Sequence, residues 1–332
     1  MKAVTISKNG GPEVLELKDI KLDDPKSGEV LIKNEAIGLN YIDTYHRSGL
    51  YPIELPSGIG IEGAGIIEKV GPDVNDFSVG DKAAYASMPI GSYATHRIFP
   101  TKKLVKVPNE IELENVVTLM TKGFTVFYLL HKTYPVKSGE TILFHAAAGG
   151  VGNWCVQLAK LAGNHVIGTC SSEEKATELK RLGCDRVIVY TKENLGEVLS
   201  SEYPDGINLI FEQVGTDTFD ICVDNLATRG RILICGFISE YMGDPQEVLA
   251  PRIYHKLLWK SAQVRAFLYK DWPEKVSSHI EELVQLVDNG KIDPLVDNTL
   301  FKGVDSCIDA VEYLHSGKNV GKVVVTLSLI HI

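Results

Sequence analysis

The sequence predicts an α/β protein, in which a β-rich region is followed by a doubly wound parallel sheet. Three observations carry this reading. From residue 1 to about 121, short alternating runs such as EVLIKNEAIGLN, GAGIIEKVGPDV and DKAAYAS are broken by Gly and Pro, the spacing of strands and turns in an all-β region. From about Lys122 the rhythm changes to apolar strands alternating with helices, which implies a parallel sheet with crossover helices. Between the first strand and helix of that series stands Ala146-x-x-Gly149-x-x-Gly152.

Taken in order, FTVFYLLHK reads as a helix, TILFHA as a strand and VGNWCVQLAKLAG as a helix closed by Gly163. In that helix Val151, Trp154, Cys155, Leu158 and Ala162 recur on one face. HVIGTC is a strand, EEKATELKRLG a helix and RVIVY a strand. INLIFEQVG and RILICGF are strands separated by DTFDICVDNLATRG, read as helix. These strands are almost continuously apolar, as when both sheet faces are covered. After Tyr269, SSHIEELVQLVDNGKI and GVDSCIDAVEYLHSG are amphipathic helices and KVVVTL is a last strand. The expected domains are 1–121, completed by 269–326, and a nucleotide-binding domain over 122–268. The last six residues, LSLIHI (327–332), are expected to be a non-native tail, because they back-translate to the start of the transposase end used in sequencing libraries. Finding these codons in the source locus would sink that idea, and a short apolar tail is the plain alternative.

Composition narrows the function. The 332 residues are 44% hydrophobic and carry a formal charge of −9 with no long Lys or Arg run, so nucleic acid and anionic membrane are poor partners. No apolar run reaches the length of a membrane span. The six cysteines form no C-x-x-C pair and several sit in apolar runs, which fits buried thiols in a reducing, cytoplasmic setting.

The glycine loop gives the first chemistry. In a Rossmann-type unit Ala146 permits the tight turn, Gly149 lets backbone approach a pyrophosphate, and Gly152 lets helix and sheet pack closely. Amides near Gly150 and Val151 then face the phosphates at the positive helix end. A preference for NAD would place Asp or Glu at the end of the second strand; Cys170 stands there. Ser171, Ser172 and Lys175 follow, a donor-rich set suited to a 2′-phosphate, so NADPH is the expected cofactor. Glu173 and Glu174 count against this, and Lys175 also reads as an ordinary solvated helix lysine. His145, beside the loop, reads as a packing residue.

GGPEVLE, AIGLNYIDTYHRSGLYP, GIEGAGIIEKVG, GDKAAYAS, KGFTVFYLL and HAAAGGVG closely resemble the zinc-free quinone oxidoreductases (zeta-crystallin type) of the medium-chain dehydrogenase/reductase family. HVIGTCSSEEKATELKRLGCDR, NLATRGRILICGFISEY and GKNVGKVVV look more like the prostaglandin reductases of a sister branch. The resemblance spans essentially the whole chain and implies a GroES-like catalytic domain beside the Rossmann domain. Where zinc-dependent relatives have their ligand Cys and His, this chain has Asn40 and Ile61, so no metal is expected.

The resemblance also implies site residues. Asn40, Tyr45 and Tyr51 match positions lining the cleft beside the nicotinamide, and Tyr241 matches a tyrosine near the substrate carbonyl. A phenol donates to an enolate while staying neutral at pH 7, although each tyrosine alone also reads as packing. Thr125, Phe237 and Ile238 match residues on the nicotinamide side. Tyr190 and Gly215 match positions near the adenosine, with Gln213 of uncertain role. Asn319 and Lys322 match a segment that returns to the cofactor, and Lys322 reads equally as a surface lysine.

The expected activity is hydride transfer from NADPH to a quinone or an α,β-unsaturated ketone. Two alternatives are a double-bond reductase for oxo-lipids and a non-catalytic NADPH-binding protein of the crystallin or RNA-binding kind. A homodimer through SAQVRAFLY is the expected assembly, since pairing would hide an apolar edge.

Overall fold

The computed structural model describes residues 1–236, 239, 253–267 and 280–327. The chain divides into two compact units, one of 1–123 with 294–332 and one of 124–293. Phe237, Ile238 and Tyr241 lie outside the described residues.

The first unit begins with β1 (Lys2–Ile6), β2 (Glu16–Asp19) and β3 (Glu29–Gly38), then α1 (Tyr41–Ser48). Next come β4 (Ser57–Gly58), β5 (Glu62–Val70), β6 (Lys82–Ala86), β7 (His96–Pro100), β8 (Val105–Lys106) and α2 (Leu113–Thr118). The helices α1 and α2 interrupt what the sequence predicts as all-β. α1 forms because Asn40 is extended and its N–H is held by the Asp43 carboxylate at 2.9 Å, the acid satisfying a donor at the helix start. Gly49, at φ 88°, closes the helix.

The second unit runs α3 (Phe124–Phe127), β9 (Thr141–Phe144), α4 (Gly150–Leu161), β10 (His165–Cys170), α5 (Glu173–Arg181), β11 (Arg186–Val189), α6 (Leu195–Glu202) and β12 (Ile207–Glu212). It continues through α7 (Asp217–Asp224), β13 (Leu226–Ile234), α8 (Tyr254–Lys260), β14 (Gln263–Ala266) and α9 (Ile280–Asp288). The chain then re-enters the first unit as β15 (Phe301–Lys302), α10 (Cys307–His315) and β16 (Val324–Thr326).

In the second unit the sheet order is β11-β10-β9-β12-β13-β14, parallel throughout. This doubly wound order reverses between β9 and β12, and ligands of such sheets sit outside the strand C-termini at that reversal. Leu143, Ile167, Ile188, Ile210 and Ile232 are fully buried in one cluster beneath the helices. α4 is buried on more than its apolar stripe: Asn153, Val156, Gln157 and Ala159 are also inside.

In the first unit β3 pairs with β5, β7 and β16. Val4, Ile6, Ile37, Tyr93, Val311 and Val325 form its core against α10. Leu327 is part of this fold, since its N–H donates to Glu35 O at 2.7 Å.

Three expectations need correction. The helix read over DTFDICVDNLATRG ends at Asp224, and LATRG already belongs to β13. There Arg229 takes a positive φ of 61° and the strand register shifts opposite β12, an irregularity that hid the strand's alternation. α6 was not anticipated; the Asn194 side chain caps it by accepting from Glu197 N–H at 3.1 Å. The return into the first unit begins at Pro294 rather than at 269. Asp293 holds that segment to the second unit: Gln157 bonds its N–H and C=O at 2.7 and 2.9 Å, and Arg181 reaches its carboxylate at 2.5 Å.

All six cysteines are free thiols; five are buried and Cys235 is half-buried. Among the described residues no helix is long and apolar enough to cross a membrane.

Candidate functional site

The glycine loop lies at the C-terminal end of β9, beside the sheet's reversal. Ala146 has φ 46° and its N–H donates to Thr169 Oγ1 at 3.2 Å. A Cβ on Gly152 would stand 2.4 Å from Ala147 Cα and 2.5 Å from the carbonyls of Ala146 and Ala147. Only glycine fits there. A Cβ on Gly149 would meet only Ala146 O, at 3.2 Å, so the loop's outer side is open. Asn153 Nδ2 donates to the carbonyls of Gly149 and Gly150 at 2.8 and 3.1 Å. With the carbonyls tied inward, the first N–H groups of α4, from Gly150 and Val151, lack intrahelical acceptors. This is a fitting cradle for a pyrophosphate.

Opposite, Gln213 Nε2 donates to His145 O at 2.6 Å, which ties the end of β9 to the end of β12 across the reversal. Glu212 was missed by sequence reasoning. Its buried carboxylate accepts from Val214 N–H at 2.9 Å and Gly215 N–H at 3.1 Å. It fastens a turn in which Gly215 has φ 88° and Thr216 φ 51°; a β-branched residue there is strained, as ligand-clamping loops often are. His145 is buried against Thr169 Oγ1 and Cys222 Sγ, at 3.3 and 3.1 Å. Burial lowers its pKa to about 4, so it packs as a neutral ring.

At the end of β10, Cys170 is buried and its thiol donates to Ser172 O at 3.3 Å. Burial raises the thiol's pKa, so this position carries no negative charge. Ser172 caps α5, accepting from Lys175 N–H at 3.4 Å. Thr191 Oγ1 donates to Ser171 O at 3.0 Å and Tyr190 N–H to Cys170 O at 3.1 Å. The structure thus brings Ser171, Ser172, Lys175 and the 55%-exposed Tyr190 to adjacent strand ends. Thr125 is buried on α3 of the same unit.

The first unit holds a separate polar cluster. Asn40 Nδ2 donates to Gly38 O at 3.1 Å and to Glu62 Oε2 at 2.8 Å, while Asn40 Oδ1 accepts from Lys322 Nζ at 2.9 Å. Lys322 also pairs with the Glu62 carboxylate, whose second oxygen accepts from Thr121 N–H at 2.6 Å. Glu62, Asn40 and Lys322 are at most 2% exposed. The reading of Lys322 as a surface lysine is corrected: it is buried, and its ammonium pairs with the buried Glu62 carboxylate. Asn40 is also revised. Both its amide hydrogens are engaged, so what remains is acceptor capacity on Oδ1. Glu62 was legible only as the acid of GIEG, with no sequence signal linking it to Lys322.

Beside this cluster, Asp43 accepts from Tyr93 OH at 3.0 Å in addition to Asn40 N–H. Burial raises its pKa to about 6, against the pull of those bonds and of Lys322. Tyr45 and Tyr51 meet edge-on with ring centres 5.5 Å apart, and Tyr51 N–H donates to Tyr45 O at 3.0 Å. Asn319 turns inward, donating from Nδ2 to Gly321 O at 2.9 Å; it braces the turn before Lys322 rather than presenting its amide outward. Among the described residues no three His, Cys, Asp or Glu side chains are grouped to hold a metal.

Comparison with known proteins agrees with this anatomy. Residues 26–109 match the alcohol dehydrogenase GroES-like domain and residues 150–289 the zinc-binding dehydrogenase family model. The chain is 42% identical to a quinone oxidoreductase of Pseudomonas aeruginosa, over 88% of this chain and 89% of that one. It is 37% identical to prostaglandin reductase-3 of Mus musculus, over 97% and 87%. The crystal structure of Escherichia coli quinone oxidoreductase complexed with NADPH superposes with a TM-score of 0.89 at 34% identity, covering 98% of this chain and 100% of that one. The chain therefore belongs to the medium-chain dehydrogenase/reductase family, in its quinone oxidoreductase branch.

Proposed function

We propose that the chain is an NADPH-dependent reductase that transfers hydride to quinones or α,β-unsaturated ketones without zinc. The observation that carries this reading is the uncharged end of β10. Cys170 is a protonated thiol where an NAD-preferring site would hold an acid, and Ser171, Ser172 and Lys175 stand beside it. That the similar Escherichia coli enzyme was crystallised with NADPH supports it.

NADPH, when bound, supplies the hydride. The first amides of α4 and its dipole hold the pyrophosphate, while Gln213 and Glu212 keep the neighbouring turn in place. Without a metal the acceptor must already be electrophilic, so hydride addition drives negative charge onto a carbonyl oxygen. A neutral phenol donating to that oxygen lowers the barrier; Tyr45, Tyr51 and Tyr241 are the proposed donors. Asn40 is proposed to help shape the substrate cleft, its amide held in one orientation by Gly38 O, Glu62 and Lys322.

Quinone and enone reduction share this chemistry, and the similar proteins named above include both a quinone oxidoreductase and a prostaglandin reductase. The test is loss of NADPH absorbance with 9,10-phenanthrenequinone and with a medium-chain enone, against NADH. Turnover of the quinone alone assigns quinone reduction; turnover of the enone assigns double-bond reduction. Tight NADPH binding with neither reaction would sink the enzymatic reading.

We further propose a cytoplasmic homodimer. Among the described residues β14 is an edge strand of the parallel sheet, and pairing with its two-fold mate would cover it. A monomeric mass by light scattering would refute this.

A further inference from the structure

We propose that Lys192 sets the coenzyme selectivity of this protein by neutralising Glu173 at the mouth of the 2′-phosphate subsite; the inference rests on the NADPH reading above. The loops after β10 and β11 run side by side at the sheet's C-terminal edge. Two hydrogen bonds hold them in register, Tyr190 N–H to Cys170 O and the Thr191 hydroxyl to Ser171 O. A third link is an ion pair, Lys192 Nζ to Glu173 Oε1 at 2.9 Å.

The position of Glu173 makes this pair consequential. It is the first residue of α5, directly after Ser171 and Ser172, so its carboxylate belongs to the stretch proposed to receive the phosphate. A fixed anion there opposes a phosphate dianion as an acid at the end of β10 would. A further acid of this edge, Glu193, is already engaged: Arg186 holds its carboxylate at 2.6 Å and Val189 N–H donates to it at 3.0 Å. Lys192 therefore cancels one of the two charges, Glu173 and Glu174, that the sequence alone counts against NADPH. Both partners are more than half exposed, so the field is screened. An exposed unit charge acting on a dianion across a side-chain length of water changes affinity by about fivefold.

Calorimetric titration of the purified protein with 2′,5′-ADP and with 5′-AMP, at low ionic strength, tests this without turnover. Lys192→Ala is expected to weaken 2′,5′-ADP about fivefold and to leave 5′-AMP unchanged. Glu173→Gln is expected to bind 2′,5′-ADP at least as tightly as the wild type, and the double variant to behave as Glu173→Gln does. An unchanged affinity in Lys192→Ala overturns the inference. An equal loss in the Glu173→Gln background also overturns it, because Lys192 would then act on the phosphate directly. A wild type that binds 2′,5′-ADP no better than 5′-AMP overturns the NADPH reading itself, and is recognised before any variant is made.

Discussion

Lys322 donates to the amide oxygen of Asn40 across 2.9 Å of space and 282 residues of sequence. The same ammonium meets Glu62, and Glu62 meets the Asn40 Nδ2. The arrangement leaves the amide one orientation. Turned over, it would set NH2 against the ammonium and oxygen against the carboxylate.

Breaking this pair should cost more than removing it. Lys322→Met strands the Glu62 carboxylate in the interior, with an expected loss of about 3–5 kcal/mol in urea unfolding. Adding Glu62→Gln to that variant should restore a large part. If the double variant is as unstable as the single one, the cost arises from packing and not from charge.

Asp43 gives the fold a pH dependence of unusual sign for a carboxylate. Its pKa rises from the ordinary 3.8 to about 6 on folding, so the protonated form is favoured in the native state. The stability it contributes is full below pH 3.8 and is lost as pH rises through 6, a change of roughly 3 kcal/mol. Asp43→Asn should therefore be more stable than the wild type at pH 8 relative to their difference at pH 4. Parallel unfolding free energies across that range would refute the assignment.

His145 works in the opposite direction. Its pKa falls from 6.5 to about 4 on folding, so its contribution is present above 6.5 and lost as pH drops through 4. His145→Gln should weaken the acid limb of the stability curve while leaving the neutral region flat. A curve that still falls as steeply between pH 6 and 4 would assign that limb elsewhere.

Two glycines of one loop should separate folding from binding. Gly152→Ala drives a Cβ into backbone at 2.4 Å and is expected to lower stability by about 1–3 kcal/mol. Gly149→Ala meets only one carbonyl, at 3.2 Å. It should melt within a few degrees of the wild type yet lose dinucleotide affinity, read by quenching of protein fluorescence with NADPH. Equal melting losses for the two would refute the distinction.

Cys170→Asp should convert the selectivity. A carboxylate at the end of β10 can bind ribose hydroxyls and repel a 2′-phosphate, so NADPH affinity should fall at least tenfold relative to NADH. An unchanged ratio would show that the coenzyme is not discriminated at this strand end.

What the sequence determined by itself is whatever depends on neighbours along the chain. The alternation of apolar strands with helices, the glycine loop from Ala146 to Gly152, and the absence of an acid at Cys170 are local patterns. Each could be read because periodicity and turn chemistry act over a few residues. Tertiary structure alone decided the rest. It buried Lys322, used both amide hydrogens of Asn40, and gave Glu62 and Glu212 their partners. The physical reason is the cost of leaving charge unpaired away from water. That cost is settled by whichever distant residue the fold brings within hydrogen-bond reach, and no local spacing records which one that is.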